Sequence, residues 1–224
     1  MANDIITWKY IWNDLLSDIE FRNYLVNQGD YQLYQNGRID DKTSSDSTNK
    51  NCGTFYLKFG KLGHFVAYKI DNKKIKIFDP SYDPNRVKGL YSGCFPPFIE
   101  TVRKHFGDIE YITDFGTVQT HRDDSFCQTW SLTYLLSIRD KTFRKLLEDA
   151  GSASTENDVI PILFEICKHI IDSRKFKDYC AHNKVLLGRW GSAVPGKTAK
   201  WKNGDQFIEF SEQLTLAEFR NLFR

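Results

Sequence analysis

His64, Asp79, Gln119 and Cys127 are the residues of this chain whose types and order could do chemistry together. A cysteine attacks a carbonyl as its thiolate, and an imidazole beside it can take the proton and stabilise the charge that remains. A carboxylate on the far ring nitrogen fixes the tautomer and the orientation of the ring. An amide N–H such as that of Gln119 can be aimed at a developing oxyanion, together with the backbone N–H of Cys127. These are the parts of a nucleophilic acyl-transfer centre. Each is commonplace alone: a strand histidine usually packs or faces water, Asp-Pro usually makes a turn, and a cysteine in an apolar helix is usually core. The weight lies in the order: histidine, acid, glutamine-bearing loop, cysteine.

The competing uses of cysteine and histidine are weaker. The sequence has no Cys-x-x-Cys, and its two Cys-x-His pairs, Cys167/His169 and Cys180/His182, would point to different sides of a helix. No metal and no cofactor is expected. Gly188-Arg189-Trp190-Gly191 and Gly196-Lys197-Thr198 lack the glycine pattern of a phosphate loop or a dinucleotide fingerprint.

The elements that must position these residues follow from periodicity. Thr54–Phe59, His64–Ile70 and Lys74–Phe78 are short β-rich runs separated by Gly60/Gly63 and by Asp71-Asn72-Lys73, which predicts an antiparallel meander. His64 then opens one strand and Asp79 ends the next. Adjacent strands lie about 5 Å apart, so the two side chains can meet at the sheet's end. The run from Cys127 to Ile138 is apolar nearly all round, which predicts a buried helix. Its N-terminus would favour a thiolate at Cys127. Further helices are expected over 5–26 (stopped by Gly29), 98–106 (ended by Gly107), 140–149, 156–172 and 215–223, with a strand over 109–115. The fold class expected is α+β: a mixed, largely antiparallel central sheet packed against helices, with the nucleophile opening a buried one.

Four segments organise the chain: an N-terminal helical segment (1–34), a polar loop (35–53), a catalytic core (54–190) and a C-terminal extension packed on or near it (191–224). The 224 residues are 41% hydrophobic, 15% aromatic and 27% charged, the composition of a folded domain. No apolar run approaches the ~20 residues that span a bilayer. The start Met1-Ala2-Asn3-Asp4 does not read as a secretory leader. Five irregularly spaced cysteines are then expected as reduced thiols in a cytosol-like compartment. The net charge of +2 hides a basic stretch from Arg174 to Lys202, with eight lysines and arginines opposed by Asp178 alone. Such a stretch is usually a solvated surface, and otherwise a contact for nucleic acid or an acidic protein.

Three motifs, Gly63-His64-Phe65-Val66-Ala67-Tyr68, Ile77-Phe78-Asp79-Pro80-Ser81 and Gln119…Asp124-Ser125-Phe126-Cys127, resemble the adenovirus protease and SUMO-specific protease superfamily of cysteine proteases, which includes maturation proteases of large DNA viruses. The resemblance covers roughly residues 54–138. It implies Cys127 as nucleophile, His64 as base, Asp79 as its orienting acid and Gln119 as oxyanion donor. It also implies cleavage of peptide or isopeptide bonds after a small residue such as glycine, in a viral precursor or a ubiquitin-like conjugate, within the host cytoplasm or a virion. The chain departs from the pattern at Phe65, where the family usually has tryptophan, and at Gln128, where glycine is common. The Gln119–Cys127 interval is slightly longer than usual, and Asn51, Asp123 and Asp124 are further polar candidates near the cleft. Two other readings share the site order: a cysteine-dependent acetyltransferase, in which an amine resolves the thioester, and a non-catalytic homologue acting as a binding or particle component.

Overall fold

The computed structural model describes residues 9, 12, 13, 15–17, 19–34, 39–42, 51–59, 62–82, 95–120, 124–176, 178 and 215–223. The fold is α+β, built on one open, mixed six-stranded sheet. Its strands are β1 (Gly29–Tyr34), β2 (Ile39–Asp41), β3 (Cys52–Phe59), β4 (Leu62–Asp71), β5 (Lys74–Phe78) and β6 (Ile109–Tyr111), in the order β2-β1-β3-β4-β5-β6. The pairs β1/β2, β3/β4 and β4/β5 are antiparallel, and β1/β3 and β5/β6 are parallel. The β4–β5 hairpin closes through Asn72 and Lys73, both with positive φ (47° and 65°). That two-residue turn matches the twist of the strands it joins.

The helices are α1 (Ile19–Val26), α2 (Phe95–Phe106), α3 (Cys127–Ser137), α4 (Lys141–Gly151), α5 (Glu156–Asp172) and α6 (Leu216–Arg220), the last continued by a 3₁₀ turn over Asn221–Phe223. Lys9, Trp12, Asn13 and Leu15–Ser17 are helical as well. Strand alternation divides the core. Phe55, Val66, Tyr68, Ile75 and Ile77 face Phe98 and Val102 of α2, while Ala67 and Phe78 join Trp130, Leu163, Ile166 and Phe219 on the opposite side. The parallel β5/β6 pair follows from this layering, because α2 supplies the crossover that parallel neighbours require.

Several boundaries differ from expectation. Gly29 does not stop the first helix. Asn27, at φ 56°, turns the chain out of it, and Gly29 opens β1. The polar stretch 35–53 contains β2 and the start of β3. The strand expected over 109–115 ends at Tyr111, where Thr113 and Gly116 close a turn (Gly116 N to Thr113 O, 3.1 Å). The helix expected from 98 begins at Phe95, its two prolines falling in the first turn where their missing N–H groups have no intrahelical role. Pro161 lies inside α5, which nevertheless runs unbroken from a Thr155–Asp158 capping box. Among the described residues no helix is long and apolar enough to cross a membrane.

Candidate active site

β4 outruns β5 at one end of the sheet. Its last pairing with β5 is Ala67 with Phe78, while His64, Phe65 and Val66 continue beyond. The chain leaving β5 turns through Asp79, Pro80 and Ser81 into the space beside them. Proline forces this exit, since it cannot donate to a ladder. The turn is pinned by the carbonyl of Pro80, which accepts from the N–H groups of Val118 (3.1 Å) and Gln119 (2.8 Å). His64 and Asp79 therefore meet: Nε2 of the ring lies 2.8 Å from Oδ1 of the carboxylate, and each side chain is only 3% exposed. The same Oδ1 accepts from the N–H of Ser81 at 2.9 Å.

Cys127 is the first residue of α3, and Phe126 caps the helix without a side-chain hydrogen bond. The N–H of Cys127 is one of the four at a helix start that have no intrahelical acceptor. The first turn is held from three directions. Asp124 accepts from the N–H of Phe126 (2.8 Å) and from the indole of Trp130 (3.0 Å). The Trp12 indole donates to Thr129 Oγ1 at 2.9 Å. The Phe126 ring packs against Phe219 and Phe223, with centroids 5.5 and 5.7 Å away. Further along, Ser131 donates to the carbonyl of Phe65 at 3.1 Å, tying α3 to the strand that carries the histidine. Gln128 to Leu135 are all buried, as a helix apolar on most sides requires.

The Cys127 sulfur lies close enough to the His64 ring to act on its protonation. Burial alone pulls the pKa of His64 down, but the Asp79 carboxylate, its hydrogen bond and the Cys127 sulfur act together and hold it well above the usual imidazole value. An imidazolium between a carboxylate and a sulfur is the charge state in which a thiolate is stabilised. Cys127 itself is partly exposed, whereas His64 and Asp79 are buried. Cys127 thus meets solvent while the His64–Asp79 pair does not.

Gln119 lies between the two halves of the site. Its Oε1 accepts from Ser81 Oγ at 2.9 Å, and its Nε2 donates to the carbonyl of Asp124. The amide thereby links the turn after β5 to the loop ahead of α3. Asp124 directs its carboxylate at Phe126 and Trp130. Asn51 is exposed, its carbonyl accepting from the N–H of Ile70 at 2.6 Å. Asp123 lies outside the described residues.

Tyr56 is a site residue that sequence reasoning missed. It is directly opposite Phe65 across the β3/β4 ladder, with ring centroids 4.7 Å apart. Its ring runs over Gly63, where a Cβ would fall 2.2 Å from the hydroxyl oxygen. Glycine is therefore needed before the histidine for closeness of approach. Burial, then the Cys127 sulfur, raise the Tyr56 pKa, so its hydroxyl belongs to the surroundings of the thiol. Phe65, where the resemblance leads one to expect tryptophan, packs tilted by 36° against this tyrosine and lies beneath Arg22, whose Cζ is 5.8 Å from the ring centroid. Gln128 is turned away to Ser17, with Nε2 donating to Oγ at 3.0 Å.

Among the described residues no group of three or more histidine, cysteine or acidic side chains gathers to hold a metal. Cys52, Cys127 and Cys167 form no disulfide, while Cys94 and Cys180 lie outside the described residues, as does most of the basic stretch 174–202. Within that stretch Arg174 pairs with Asp178 at 3.5 Å on the surface. Comparison with protein-family models, characterised proteins and solved structures finds no match.

Proposed function

We propose that this protein is a cysteine peptidase hydrolysing peptide or isopeptide bonds, with Cys127 as nucleophile, His64 as base and then acid, and Asp79 as orienting carboxylate. The observation that carries the reading is the buried His64 ring, held by Asp79 on one nitrogen, with the Cys127 sulfur close enough to act on its charge. The Cys127 thiolate attacks the carbonyl carbon, whose π electrons move onto oxygen. The N–H of Cys127 and the second amide hydrogen of Gln119, beyond the one donated to Asp124, stabilise that oxyanion. Collapse breaks the C–N bond, the imidazolium gives its proton to the departing amine, and a thioester remains. Water, deprotonated by His64, attacks the thioester. The acid departs and the thiol–imidazole pair is restored.

The order His64, Asp79, Gln119, Cys127 and its resemblance to the adenovirus and SUMO protease superfamily support a maturation protease or a ubiquitin-like-modifier protease. On the same resemblance, the bond cleaved follows a small residue, and the enzyme works in the host cytoplasm or the virion. The test offers the protein viral precursor peptides and ubiquitin- and SUMO-type C-terminal reporters, with Cys127→Ala as control. Turnover abolished by that substitution is the expected result. Equal turnover by Cys127→Ala overturns the mechanism, and turnover of acyl-coenzyme A without peptide cleavage selects acetyl transfer instead.

A further inference from the structure

A polar cavity of about 260 Å³ lies on the sheet face that carries Tyr56 and Phe65, and Tyr56, on whose ionisation the Cys127 sulfur acts, is part of its wall. Arg22, Asp30, Tyr31 and Lys42 line it with these two rings. Its charges are unequal in their commitments. Arg22 and Asp30 are buried and joined to each other, with Arg22 Nε 3.1 Å from Asp30 Oδ2. Lys42 faces the cavity with its ammonium 5.3 Å from the Tyr56 ring centroid, and its side chain is exposed. The charges acting on it are Arg22, Lys58 and Asp30, two cations against one carboxylate that already serves Arg22. Burial, then Arg22, keep its pKa below that of an ordinary lysine. The wall of the cavity is short of negative charge.

The direction of a bound substrate follows from strand alternation. Tyr56 and Phe65 share one face of the ladder, and the neighbouring His64 side chain is directed to the other. A leaving amine departs toward His64, which protonates it, so the acyl half of the substrate runs the other way, over Tyr56 and Phe65. Tyr56 lines the cavity and feels the Cys127 sulfur, so with about 3.3 Å per extended residue a side chain two or three residues along the acyl side would meet the cavity.

We propose that this cavity is a specificity subsite for an acidic side chain, Asp or Glu, placed two or three residues from the reacting carbonyl on its acyl side and paired with Lys42. The proposal rests on the peptidase reading of Cys127. The test measures alkylation of Cys127 in the full chain, by intact mass, with N-acetyl tripeptidyl chloromethyl ketones. These end in Gly and carry Glu, Gln or Lys at either remaining position, and each rate is taken relative to iodoacetamide. A Glu reagent should react at least about 10-fold faster than its Gln counterpart, as a charge-assisted hydrogen bond allows, and the Lys reagent more slowly than both. Lys42→Met should erase the preference and Lys42→Glu should reverse it. Rates independent of charge, with Cys127 labelled normally by iodoacetamide, overturn the subsite and leave the nucleophile standing. A Cys127 inert to every reagent overturns the nucleophile, and the subsite falls with it.

Discussion

Two buried charge pairs flank the β3/β4 ladder, and they are built differently. In the first, Arg22 donates to Asp30 through Nε and Nη2 and to the carbonyl of Leu16 through Nη1. Asp30 fills its other oxygen from Gln28 and Thr54. These bonds join a guanidinium, a side-chain amide, a hydroxyl and a backbone carbonyl, with no thiol or imidazole among them. In the second, Asp79 holds His64 and the N–H of Ser81, and the Cys127 sulfur acts on the charge of the ring. Both pairs avoid the cost of an unpaired buried charge. The first is closed and joins α1 to β1 and β3. The second has a partly exposed thiol beside it. What separates a fastener from a reactive centre here is the last partner, not the burial.

Substitutions can break the comparison. Cys127→Ala should lower peptide turnover by on the order of 10⁴-fold while its thermal unfolding stays close to that of the parent. Asp79→Asn, which keeps shape and removes charge, should lower kcat/KM by about 10²–10⁴-fold. Arg22→Met should act on stability instead, by about 3–5 kcal/mol in a denaturant titration, because it leaves Asp30 buried without its cation. Unchanged stability there would remove the contrast between the pairs. Gly63→Ala is a smaller perturbation. It forces the Tyr56 ring off its seat and should cost about 1–3 kcal/mol, together with a measurable fall in kcat/KM.

The pH profile sharpens the same contrast. Because His64 is held well above its ordinary pKa, its ion pair contributes stability that is fully present below about pH 6.5. That contribution is lost as pH rises through the elevated value. Activity depending on the imidazolium should likewise persist well above pH 6.5 before its alkaline limb. In Asp79→Asn the burial that opposes the charge is no longer outweighed by a carboxylate, so the alkaline limb should move to lower pH. An unmoved limb in kcat/KM against pH would assign it to another group.

Much of this arrangement was legible in the sequence because it is local. The β4–β5 hairpin with its Asn72-Lys73 turn, the exit at Asp79-Pro80 and the buried run after Cys127 each announce themselves within a dozen residues. What was not legible depends on distant partners. β1 escaped because Asp30, which should face water, is buried against Arg22 and Thr54. β2 escaped because a three-residue edge strand in a polar stretch has no periodicity to read. Tyr56 looked like any strand aromatic until the register set it beside Phe65 and over Gly63. Gln119 could be placed in the delivering loop, but its ties to Ser81 and Asp124 join segments 38 and 5 residues apart, and only the folded chain brings them together.

The ring packing on Phe126 has a consequence for the timing of assembly. Phe126, which precedes Cys127, is gripped by Phe219 and Phe223, and Lys9 reaches both the Phe126 ring and, across 213 residues, the carbonyl of Leu222. The His64–Asp79 hairpin can form early, from contacts close in sequence, whereas the seat of Cys127 closes only once residues 215–223 have left the ribosome and docked. During synthesis, the His64–Asp79 pair can therefore form before the packing around Cys127 is complete.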